Sequence, residues 1–97
     1  MHLATCRIVF HLHGNNSLKG KRQVAHSLIA RVKKEFNVSI AEVDTQDLHQ
    51  TLIIGIACVS NNSRHANEII DNTLRYVQRI HLDAEVVNVS REHFYGD

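Results

Sequence analysis

Ninety-seven residues, 43% hydrophobic and 22% charged, suffice for one compact domain and leave no room for a second. Eleven Lys and Arg against ten Asp and Glu give a net charge of +1, so any pull on an anionic partner has to come from local clustering. No apolar run approaches the roughly 20 residues that cross a bilayer, and the opening residues lack the basic and apolar regions of a signal peptide, so the chain is expected to be cytoplasmic and without membrane contact.

From Leu3 to Leu12 the residues alternate. Ala4, Cys6, Ile8, Phe10 and Leu12 fall on one side and Thr5, Arg7 and His11 on the other, which predicts a strand with one buried face. Gly14-Asn15-Asn16 breaks the pattern, and Ser17 is placed to cap a helix. From about Lys21 to Phe36 the period changes to that of a helix, with Val24, Ala25, Leu28, Ile29, Val32 and Phe36 on one stripe. Arg22, His26 and Lys33 lie along one flank of it and Lys34 on the other.

Val38 to Val43 is β-branched enough for a second strand, and Asp44-Thr45-Gln46-Asp47 signals a turn. Leu52 to Val59 is apolar on both sides, as in a central strand. Ser60-Asn61-Asn62-Ser63 offers helix caps, and Ala66, Ile69, Ile70, Leu74, Val77 and Ile80 recur at helical spacing. Ala84 to Val89 makes a last strand, and the polar segment 91–97 is expected to be a loosely held tail. Cys6 and Cys58 each sit in an apolar strand, so they read as reduced, buried thiols.

The order strand, helix, strand, strand, helix, strand predicts an α+β fold: a ferredoxin-like βαββαβ sandwich spanning residues 1–97, with antiparallel sheet order 4-1-3-2 and both helices on one face. The expected core is Cys6, Ile8, Phe10, Leu28, Val32, Ile56, Ile70, Leu74 and Val77. This topology gathers His11, His13, Lys19, Lys21, Arg22, Asp44, Asp47, His49, Arg79 and His81 at one end of the sheet.

Several motifs carry a resemblance over nearly the whole chain: Ser17-Leu18-Lys19-Gly20-Lys21-Arg22, Phe36-Asn37-Val38-Ser39-Ile40-Ala41-Glu42-Val43-Asp44, then Gln46-Asp47 and Val59-Ser60-Asn61. Together they resemble the YlxP-like family of small bacterial proteins, a domain family of unknown function with a ferredoxin-like fold. The resemblance implies a setting near translation and ribosome maturation, and no established activity. The chain departs from the family pattern at His13, where proline is usual, and at His49, where an aromatic is usual.

Three functions compete. In the first, Ser17, Lys19, Lys21 and Arg22, with Lys33 further along the helix, form an anion site for RNA or a ribosomal particle, since a helix start offers both free N–H groups and side-chain charge. Exposed charges add little to stability, so neutralising Lys19, Lys21 and Arg22 together is expected to leave folding intact. In the second, the open sheet face makes a homodimeric interaction module without nucleic-acid binding. The third, a metal-dependent hydrolase built from His11, His13, His49, Asp44 and Asp47, is the weakest. Asp44 and Asp47 are natural turn residues, and no nucleophile and base stand out. The chain is therefore expected to be non-enzymatic, with no cofactor and no metal, and with His11, Asp44, Gln46 and Asp47 as a polar cluster beside the anion site.

Overall fold

The computed structural model describes residues 1–44, 47–80 and 83–97. Six elements follow one another: β1 (His2–His11), α1 (Leu18–Glu35), β2 (Ser39–Glu42), β3 (Thr51–Ser60), α2 (Ser63–Arg79) and β4 (Glu85–Tyr95). The four strands form one antiparallel sheet in the order β2-β3-β1-β4, the expected ferredoxin-like arrangement. β1 is paired along its whole length on both sides, with Cys6 opposite Ile56 of β3 and Arg91 of β4.

Alternation along the strands makes one face of the sheet the core. Ala4, Cys6, Ile8, Phe10 and Leu12 of β1 and its exit meet Leu52, Ile54, Ile56 and Cys58 of β3, and α1 and α2 close over them with Leu28, Val32, Ile70 and Val77. Both cysteines are free and buried. Burial pushes both thiols above their ordinary pKa, and the Cys58 thiol donates to the Ala66 carbonyl at 3.3 Å. β3 is apolar on both sides because Ile53, which faces away from the helices, is also buried.

Two expectations need correction. Leu74 is only partly buried, and the fully buried position one residue earlier belongs to Thr73. α2 turns Ala66, Ile70, Thr73 and Val77 inward, and the Thr73 hydroxyl satisfies itself by donating to the Ile69 carbonyl at 2.8 Å, so a polar residue costs little in that place. The segment expected as a loose tail is the second half of β4. It pairs with β1 as far as Tyr95 opposite His2, and the Gly96 N–H donates to the Met1 carbonyl at 3.0 Å. Its polarity reflects an edge strand whose inward Arg91 side chain pairs with Asp71 of α2.

Among the described residues, no helix is long and apolar enough to cross a membrane.

Candidate functional site

The entry to α1 is fixed by its own side chains. Ser17 is the N-cap, its hydroxyl accepting from the Gly20 N–H at 3.0 Å. Asn15 donates through its amide nitrogen to the Ser17 carbonyl at 2.8 Å and also to the His49 carbonyl, joining the β1–α1 loop to the turn before β3. A Cβ on Gly20 would run into the Asn15 carboxamide, so a larger residue there would displace the Asn15 side chain and the contacts it makes. Gly14 takes a left-handed backbone, φ 72°, where a side chain would be strained.

Lys21 differs from the expected exposed cation. It is 4% exposed, and its ammonium group donates to the Leu48 carbonyl at 3.4 Å. Its long stem lies inside the fold while its charge serves the same turn that Asn15 holds. Lys21 is therefore a structural tether, and it does not share a surface with Lys19 and Arg22.

Those two do have neighbours on α1. Lys19, Arg22, His26 and Lys33 are all exposed. Helical geometry of about 100° per residue places them within an arc of roughly 60°. Arg31 and Lys34 are exposed further round the helix. All four lysines of the chain lie on α1, where Glu35 is the only acid. Among the described residues, Lys19, Arg22, Arg31, Lys33 and Lys34 have no ion-pair or hydrogen-bond partner. The first turn of α1 contains no acid, so its cations face the positive end of the helix dipole without relief.

The expected polar cluster does not assemble as one site. Asp44 is bound to Arg7 at 2.7 Å on the open face of the sheet. His11 packs edge-on against His13, with ring centroids 4.4 Å apart, and His13 meets Glu85 at 3.0 Å. Asp47 is exposed, whereas Gln46 and His81 lie outside the described residues. Arg79 sits over the Tyr76 ring, 5.9 Å from its centre. Among the described residues, no three His, Cys, Asp or Glu side chains are grouped so as to hold a metal ion.

Beside the stripe lies a cleft of about 470 Å³ that sequence reasoning missed, lined by Leu12, His13, Gln23, Val24, Ser27 and Asp83 among others. Gln23 and Ser27 also border the shallow groove formed with Lys19, Arg22 and His26. Gln23 and Ser27 are visible in the sequence as an i, i+4 polar pair on α1. Asp83 reaches them only through the fold.

Residues 3–91 match the family described as "Protein of unknown function (DUF503)". The chain belongs to this family. The uncharacterized protein YlxP of Bacillus subtilis (strain 168) is 35% identical over 74 residues, covering 76% of this chain and 78% of that protein. Among solved structures, the de novo designed protein Foldit4 aligns over all of both chains with a TM-score of 0.54 at 11% identity. SnoaB, a cofactor-independent oxygenase from Streptomyces nogalater, aligns over 100% of this chain and 95% of its own with a TM-score of 0.50 at 12% identity. At such identities these structures share the fold with this DUF503 chain and nothing further. The family match spans the α1 entry, the cation stripe, β2, β3 and all but the ends of β1 and β4, so the site described above lies within the region that defines the family.

Proposed function

We propose that this DUF503 chain is a non-enzymatic domain that binds RNA, free or within a ribosomal particle, through the exposed cations of α1. The observation that carries the reading is the line Lys19, Arg22, His26 and Lys33, whose Lys and Arg members are unneutralised among the described residues in a chain whose overall charge is only +1. Four side chains along some 20 Å of helix suit successive phosphates, at about 1.5 Å of rise per residue. The open sheet face suits RNA less well. The middle of its central strands presents Thr5, Arg7, Val9, Ile53, Gly55 and Ala57, and the rings of that face, His11 and Phe94, stand at opposite ends of it, so no adjacent pair of aromatics offers a stacking platform.

The test is binding of a labelled single-stranded RNA, and co-sedimentation with ribosomal particles, at several salt concentrations. Replacing Lys19, Arg22 and Lys33 by Ala is expected to weaken binding for all sequences and to flatten the salt dependence by about two in log–log slope, roughly 0.7 for each phosphate no longer neutralised. Unchanged affinity and slope in the folded triple variant would remove the reading.

A second reading, a homodimer formed through the open sheet face, is favoured by one observation. Val59, Leu3 and Phe94 stand side by side across β3, β1 and β4 on that face, with Val59 63% and Phe94 48% exposed. Such an apolar row suits an interface.

A further inference from the structure

We infer that the cleft beside the α1 stripe receives an unpaired guanine base of a single-stranded RNA, a specificity that rests on the stripe being a phosphate track. The cleft is bordered by half-buried Val24 over the buried Leu12 and by three polar residues, Gln23, Ser27 and Asp83. Among the described residues, these three polar groups have no hydrogen-bond or ion-pair partner. Polar groups left without partners in a concave site are the ones that fix a ligand's orientation. His13 adds an aromatic wall, held in place by Glu85 at 3.0 Å and by the His11 ring.

Charge separates the two halves of the ligand. A carboxylate in the cleft repels phosphate, whereas Lys19 and Arg22 in the adjoining groove attract it, and Gln23 and Ser27 border both spaces. A nucleotide has this same division, with an uncharged aromatic base joined to an anionic backbone. Ionised Asp83 can only accept hydrogen bonds. Guanine presents two adjacent donors on one edge, its ring N–H and exocyclic amino group, which match the two carboxylate oxygens. Adenine and cytosine offer a single amino group there, and uracil one N–H between two carbonyls that would face the carboxylate. In a duplex the guanine edge is already occupied, so the base has to be unpaired and splayed out, as bases read by proteins in single-stranded RNA are.

The experiment measures fluorescence anisotropy of the wild-type chain with a labelled uridine oligomer and with the same oligomer carrying one central guanine or one central adenine. The guanine oligomer is expected to bind roughly tenfold tighter than the other two, within the range that a two-point base contact gives, and annealing it to its complement is expected to remove the advantage. Asp83→Asn is expected to erase the difference between oligomers, and circular dichroism checks that this exposed position leaves the fold intact. Equal binding of all three oligomers, or a guanine preference that survives Asp83→Asn, overturns the inference while leaving the phosphate track standing. Guanosine monophosphate competing as strongly as the oligomer overturns the assignment to RNA. Absence of salt-dependent binding to any oligomer overturns both readings.

Discussion

Lys19 and Lys21 look alike in the sequence, two lysines on either side of a glycine, but the fold separates their roles. Lys19 is free in solvent, whereas Lys21 is buried with its ammonium on the Leu48 carbonyl. The periodicity of α1 contained the signal, because Lys21 shares the inward stripe with Ala25, Leu28 and Val32. Its charge argued for solvent and concealed that signal, since a lysine stem long enough to cross the core edge is not visible in a hydrophobic pattern. Lys21→Ala is accordingly expected to cost about 1 to 3 kcal/mol, the range for losing a charged hydrogen bond at a buried group, and Lys19→Ala close to nothing. Lys21→Met, which keeps the stem, should recover part of the loss. Denaturant unfolding of the three variants checks this, and equal stability of Lys19→Ala and Lys21→Ala would show that the tether contributes nothing. Ser17 was legible as a cap because its chemistry is local. Asp83 was not, because only the return of the chain into β4 brings it beside α1.

At the scale of elements, the order of strands and helices was legible throughout, since each period is a property of a short stretch. What escaped were positions decided by packing between elements. The apolar spacing of α2 admits either residue 73 or residue 74 as the inward one. The sheet selects Thr73, and Leu74 packs at the margin. Ile70→Ala is therefore expected to cost about 2 to 5 kcal/mol and Leu74→Ala clearly less, because a partly exposed site leaves a smaller cavity. Thermal or denaturant unfolding distinguishes them, and a larger loss at Leu74 would contradict the register of α2. β4 was underestimated for a related reason. Residues 91–95 are all exposed and mostly polar, so no hydrophobic alternation announces a strand. The backbone of β1 supplies the partner instead, with Leu3 opposite Phe94 and Thr5 opposite Glu92.

For the molecule as a whole, the two faces of the sheet differ in what they present. The helices cover one, and α1 carries the cation stripe on its outward side. The other face has a neutralised centre, where Arg7 meets Asp44 at 2.7 Å, small residues at Gly55 and Ala57, and the apolar row Val59, Leu3, Phe94. Val43 lies so close over Gly55 that a Cβ there would collide with it, and both border a hollow of about 410 Å³ on this face. Strands of ten, four, ten and eleven residues at about 3.3 Å per residue and about 4.8 Å apart make a footprint of roughly 550 Å². That is close to the lower end, about 600 Å², of what each partner of a specific complex buries. On the dimer reading proposed above, a second copy of the chain would occupy this face, and face-to-face pairing would leave both α1 stripes outward. Sedimentation at high micromolar concentration is therefore expected to find a dimer, and Phe94→Glu to shift it toward monomer because it buries a carboxylate in the apolar row. Since Phe94 lies at the edge of the sheet and is 48% exposed, the monomeric variant should keep its fold and its salt-dependent affinity for RNA at each stripe. A wild-type chain that stays monomeric at that concentration, or a Phe94→Glu dimer, would exclude this face as the interface.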